Sequence, residues 1–319
     1  MSRRGPKGQP QRRSGAGRGL GRLATSAVAS AGAQLAWRGL TASPPGGAAR
    51  WTRTNHRGEP VSLLEGPAVV LGATAALLVA PGTPARVRAA GTIALLGAGA
   101  VGLADDLSGS GAAKGFAGHL GALRRGEVTT GAIKVAGIGA TGLVAAALAA
   151  PAAGRRARAG RAGEAGRGGR GGRGGRGGRG GRASLLDVVL GGALVAGTAN
   201  LLNLFDLRPG RAVKVTLALA PVVSGAGPAA GLVAAATGSG AAMLPVDLGE
   251  RAMLGDCGAN ALGALLGTAA VAGRSRTTRT LLLAGVVALT LASEKVSFTK
   301  VIESTAGLRQ LDALGRRPR

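Results

Sequence analysis

The sequence predicts an all-α fold, a multi-pass transmembrane helix bundle of about nine spans. Apolar runs of roughly 15–20 residues recur along the 319-residue chain, long enough to cross a bilayer when helical. The apolar content is Ala, Val, Leu and Gly, with 60 glycines, 2% aromatic residues and no tyrosine, so a soluble core of this size would lack large side chains to fill it. Acidic residues are scarce, 14 in all, and fall almost entirely between the runs. Only helices satisfy their own backbone in lipid without closing into a barrel, and abundant Gly and Ala let such helices approach closely.

In chain order, residues 1–19 are rich in Arg, Gly, Pro and Gln and predict a disordered basic tail. The first apolar segment, 20–37, ends in Trp37-Arg38-Gly39 rather than at a small-residue cleavage site, which predicts a retained span instead of a removed signal. With segments 66–81, 89–104 and 131–150 it makes a first transmembrane unit, 20–152. Residues 153–183 form an Arg/Gly loop whose Gly-Gly-Arg repeats cannot build a packed core. Segments 185–202, 212–226, 228–245, 257–272 and 279–293 make a second unit, 184–293. An amphipathic tail, 294–319, follows, with Leu308, Leu311 and Leu314 on one face. The single cysteine, Cys257, excludes an intramolecular disulfide and reads as a packing residue.

The net charge of +26 invites a nucleic-acid reading. Setting aside the N-terminal tail and the Arg/Gly loop leaves roughly +10, and no aromatic residue is interleaved with those arginines to stack on bases. The expected partner is therefore the lipid bilayer, not nucleic acid. The loop itself reads either as a flexible connector or as a binder of anionic lipid or polymer.

Threading the chain through a bilayer at every apolar run brings three acidic motifs to one face: Asp105-Asp106, Asn200-x-x-Asn203-x-x-Asp206 and Gly255-Asp256. About 12 of the 14 acidic residues fall in loops of that face; Glu164 and Asp187 lie elsewhere. Each motif has a plain structural reading: a solvated helix end, polar glue between helices, and an N-cap. Together, carboxylates crowded at the mouth of a bundle repel one another, which points to a bound cation, with a hard divalent metal holding phosphate oxygens as the leading candidate. Basic residues on the same face, Arg57, Lys114 and Lys134, are candidate phosphate ligands, with membrane-interface snorkelling the alternative for Lys134. His56 and His119 lack partners at metal-ligand spacing, so a His-based zinc site is not expected. Positive charge on the short loops places the motif face in the cytoplasm of a cell-membrane protein. In a Cys257→Ala background, single cysteines at Ser108 and Gly210 are expected to resist an impermeant thiol reagent in intact cells, while one at Gly174 is labelled; the reverse pattern overturns the topology.

These motifs, in this order and on this face, resemble the polyprenyl-phosphate N-acetylhexosamine-1-phosphate transferases, from about Arg53 to Leu291 with the Arg/Gly stretch as an interruption. Asp105-Asp106 is similar to that family's Asp-Asp motif, Asn200–Asp206 to its Asn-x-x-Asn-x-x-Asp-Gly-Leu-Asp motif, and Gly255-Asp256-x-Gly258 to its Gly-Asp-Thr-Gly-Ser motif. Arg57-Gly58 and the Thr-Gly-x-x-Lys run ending at Lys134 resemble its cytoplasmic loops. Pro209 stands where the family has a second Asp, and its late His-rich loop and tenth span have no counterpart here. The resemblance implies a ten-span fold, often a homodimer, with a cytoplasmic Mg²⁺ site. It also implies transfer of a sugar-1-phosphate from a UDP-sugar to polyprenyl phosphate in cell-envelope (peptidoglycan-type) polymer synthesis. Carried over, Asp256 is the Mg²⁺ ligand, and Asp105 and Asp106 position or deprotonate the lipid phosphate. Asn200, Asn203 and Asp206 line the nucleotide-diphosphate site, with Arg57, Lys114 and Lys134 on phosphate. The competing expectation is a catalytically silent relative that scaffolds envelope assembly.

Overall fold

A computed structural model describes residues 15–108, 130–151, 183–224, 227 and 229–318. Among the described residues nine long helices form, one at each apolar run: α1 (Gly15–Ala42), α3 (Glu65–Val79), α4 (Ala85–Ser108), α5 (Thr130–Ala149), α6 (Leu185–Phe205), α7 (Arg211–Val223), α8 (Ala230–Leu248), α9 (Gly255–Gly273) and α10 (Arg276–Ser293). A one-turn helix α2 (Ala48–Trp51) leads into a two-stranded antiparallel hairpin, β1 (Thr52–Thr54) and β2 (Pro60–Ser62). Two short helices, α11 (Phe298–Ser304) and α12 (Ala306–Ala313), end the chain. Helix α1 starts at Gly15, five residues before the expected boundary, because Ala16 and Leu20 continue the helical run; most of the basic tail and the Arg/Gly loop lie outside the described residues.

Four helices, Ala85–Ser108, Gly131–Ala149, Leu185–Phe205 and Ala230–Leu248, are long and apolar enough to cross a membrane. A fifth is reached if α10 and α11, bent by 92° at their junction, count as one. The described residues thus form a helical bundle compatible with a membrane, with four or five candidate spans against the nine expected. Length explains part of the difference: at about 1.5 Å per residue, the 13-residue α7 and the 15-residue α3 fall short of a hydrocarbon core of about 30 Å.

Helix α9 runs through the centre, packed chiefly on α4 and α6 and also touching α3, α7 and α8. Every residue from Cys257 to Ala272 is buried. Its small residues make this possible: a Cβ at Gly263 would collide with the Thr198 carbonyl on α6, and one at Gly258 would stand 2.9 Å from the Gly66 Cα on α3. The outer surfaces carry exposed Leu71, Leu78, Ile93, Leu143 and Leu281, as expected where lipid replaces water. At the end opposite the motifs, Asp187 accepts from Arg276 (2.6 Å) and Arg279 (3.1 Å) and ties the start of α6 to the start of α10.

Candidate functional site

The three acidic motifs meet at one end of the bundle, around the N-terminus of α9. A helix N-terminus presents amides without intrahelical partners and carries partial positive charge. Asp106, near the end of α4, satisfies two of them: its Oδ1 accepts from the Asp256 amide at 3.0 Å and its Oδ2 from the Cys257 amide at 2.9 Å. Two glycines allow that approach. Gly255 takes a left-handed φ of 60°, and a Cβ there would sit 2.8 Å from Asp106 Oδ2. One turn before Asp106, a Cβ on Gly102 would collide with the Asp256 carbonyl. Asp106 is thus a cap supplied by a neighbouring helix.

Asp206, just past α6, flanks the same amides. Burial, with Asp247 and Asp106 nearby, pushes its carboxyl well above the ordinary carboxylate range, against a backbone hydrogen bond from Gly255. Asn203 is half-buried and Asn200 exposed on the last turns of α6, on the approach to Asp206.

Asp105 and Asp256 take a different arrangement. Lys134, at the start of α5, places its ammonium 3.1 Å from Asp105 Oδ2 and also on Asp256 Oδ2. Their side chains are 27% and 24% exposed, so this pair is the part of the acidic group that opens outward. Two carboxylates from different helices therefore converge on one cation. Among the described residues no set of three or more His, Cys, Asp or Glu side chains is placed to hold a metal. A pair of hard oxygen donors nonetheless fits Mg²⁺, which is held by one or two carboxylates and completed by water and phosphate oxygens.

The hairpin closes one side. Arg53 on β1 donates to the Asp106 carbonyl. At its tip, Asn55 Oδ1 accepts from the Arg57 and Glu59 amides, both at 2.9 Å. Arg57 is committed to protein acceptors: Nε lies 3.1 Å from Glu250 Oε1, and its other nitrogens donate to the carbonyls of Arg317 and Pro318. Burial and nearby Arg208 lower the His56 pKa below its ordinary value, so His56 stands neutral beside Glu250 at pH 7. Lys114 lies outside the described residues.

Three acidic residues at this end, counted on the motif face but not named as site residues in the sequence reading, are Glu65, Asp247 and Glu250. Glu65, the first residue of α3, is 0% exposed, and neither carboxyl oxygen has a hydrogen-bond partner among the described residues. Its signal in the sequence is a lone acid at the start of an apolar run; Asp247 and Glu250 mirror it at the end of another. A buried carboxyl without partners costs stability, roughly 1–3 kcal/mol by mutational measures. Glu65→Met is expected to raise the stability of the detergent-solubilised protein by about 1–2 kcal/mol, read as a higher midpoint of thermal unfolding. A lowered midpoint would mean that Glu65 makes a stabilising contact.

No protein-family model matches the chain, and no curated protein matches it significantly.

Proposed function

We propose that this protein is an integral membrane sugar-1-phosphate transferase of the polyprenyl-phosphate N-acetylhexosamine-1-phosphate transferase type, with the Asp105–Lys134–Asp256 end of the bundle as its cytoplasmic site. The observation that carries the reading is the convergence of Asp105 and Asp256 on one ammonium, beside a helix N-terminus. Bound Mg²⁺ would neutralise charge on the diphosphate of a UDP-sugar as the phosphoryl group passes to the lipid phosphate. Asp256 and Asp105 would hold it. Lys134 would leave its carboxylates and pair with a phosphate oxygen, keeping one cation on each side of the reacting group. In the reaction a lipid-phosphate oxygen bonds to the phosphorus of the sugar-1-phosphate, the diphosphate P–O bond breaks, and UMP leaves. Through the cation it would share with Asp256, Asp105 would orient the incoming lipid phosphate, while Asp106 holds the frame that aims Asp256. Asn203 and Asp206 line the nucleotide side.

The second reading is a catalytically inactive envelope-assembly scaffold. It is favoured by the commitment of Arg57 to Glu250 and to the C-terminal carbonyls, which removes it from substrate. Purified membranes incubated with radiolabelled UDP-sugars, polyprenyl phosphate and Mg²⁺ are expected to yield organic-extractable label with matching UMP release, both abolished on chelation. Mg²⁺ binding without label transfer from any donor would leave the scaffold.

A further inference from the structure

Beside the acidic end of the bundle, the last two turns of α8 and the C-terminal segment line an open groove of about 410 Å³. Its wall is apolar: Ala241, Leu244, Pro245 and Leu248, all on a helix long and apolar enough to span the bilayer. Its rim is cationic, made by Arg316 and Arg317. The rim is held in place by the fold. Gly315 takes a left-handed φ of 76°, where a Cβ would stand 3.0 Å from Leu248 Cδ1, and turns the chain back onto the bundle. Beyond it, Arg316 donates to the Pro209 carbonyl (2.9 Å) and to Asp312 (2.7 Å). Asp312 in turn takes a two-pronged contact from Arg211, at 2.8 and 3.0 Å, and Lys214 donates to the carbonyls of Leu311, Asp312 and Leu314. Burial, together with the neighbouring Arg211 and Arg208, lowers the Arg316 pKa although Asp312 opposes that shift. Arg317 is 46% exposed and pairs with Glu59 at 3.0 Å. Among the described residues, Arg211, Lys214, Arg316 and Arg317 gather here around Asp312, Glu59 and Asp247.

We infer that this groove binds an anionic phospholipid of the surrounding bilayer, its acyl chain along Ala241, Leu244 and Leu248 and its headgroup phosphate between Arg316 and Arg317. The layout is the one a lipid requires. An apolar wall continues a span, and positive charge sits where that span ends, at headgroup level. Guanidinium groups match phosphate oxygens in geometry as well as charge. The inference stands apart from the transferase reading, since none of these residues belongs to the proposed reaction site.

Native mass spectrometry of the full-length protein in detergent, with phosphatidylglycerol or phosphatidylcholine added, tests it. The wild type is expected to retain phosphatidylglycerol at least tenfold better than phosphatidylcholine. Arg316→Gln combined with Arg317→Gln is expected to remove that preference. Because Arg316 also braces Asp312, a second variant is needed, and Ala241→Trp fills the groove from an exposed position while leaving every charge intact. It is expected to lose the bound lipid without loss of thermal stability. Equal retention of the two lipids, or undiminished phosphatidylglycerol in Ala241→Trp, overturns the inference. So does retention of polyprenyl phosphate alone, or displacement of the lipid by inorganic phosphate at equal concentration.

Discussion

Asp256→Asn is expected to lower sugar-phosphate transfer by about 10²–10³-fold while leaving the fold intact. The two halves of that expectation have separate causes. Turnover falls because the substitution keeps size and hydrogen-bonding capacity but removes one of the two carboxylate charges that converge at this end. Positioning and charge neutralisation are most of what a phosphoryl-transfer site supplies. The fold survives because Asp256 does not cap its own helix: the first amides of α9 are held by Asp106. The substitution breaks only the ion pair with Lys134, which keeps Asp105, and a partly exposed pair of this kind is worth about 1 kcal/mol or less. UMP release at saturating donor, Mg²⁺ calorimetry and a thermal unfolding curve on the same preparation check both halves. Equal Mg²⁺ affinity in wild type and variant would remove Asp256 from the metal site. Unchanged turnover would remove it from the reaction.

How much of this was legible in the sequence follows from which interactions are local. The nine apolar runs coincide with nine long helices among the described residues because length and composition act within a segment; runs dominated by Ala, Leu, Val and Gly stay helical even where Pro67, Pro221 or Pro245 interrupts them. The number of spans was less legible. Segment 257–272 becomes the buried centre of the bundle, where helix packing rather than a lipid-facing surface sets its composition. The gathering of the three acidic motifs at one end followed from alternation of the runs, and the structure brings them together. What each carboxyl does there was not legible. Asp105 and Asp106 are neighbours in sequence, yet one opens onto Lys134 while the other is turned inward onto amides 150 and 151 residues away. No spacing rule reaches that far. Arg57 is a similar case: a basic loop residue reads as a phosphate ligand until the chain terminus, 260 residues on, is seen to accept from it. Glu65 was hidden for the opposite reason, since a single acid at the edge of an apolar run looks like a solvated helix start until its complete burial is known.

Asp106→Ala is expected to cost about 3–5 kcal/mol of stability, the largest single loss at this end of the bundle. One carboxylate there accepts two amides at 2.9–3.0 Å, and hydrogen bonds to a charged acceptor contribute roughly 1.5–3 kcal/mol each. Nothing else among the described residues is placed to replace it. Gly255 has no side chain, Leu254 offers no cap, and the next amide, Gly258, already donates to the Leu254 carbonyl. The loss propagates, because the α9 start also positions Asp256 and is packed against Gly102 on α4 and Gly66 on α3. Asp106→Asn, keeping one acceptor oxygen but turning an N–H₂ toward the second amide, should lose roughly half as much. Gly102→Ala is the independent check, since its Cβ would force α4 away from the Asp256 carbonyl and lengthen both cap bonds without touching a charge. Denaturant or thermal unfolding in one detergent orders the series: wild type, Asp106→Asn, then Asp106→Ala, with Gly102→Ala also below wild type. If Asp106→Ala melts with the wild type yet transfers no sugar phosphate, Asp106 acts on substrate and the cap is incidental. If it melts early and its residual folded fraction still turns over, the aspartate pair divides its labour as its geometry indicates, Asp106 holding the helix and Asp105 facing the reaction.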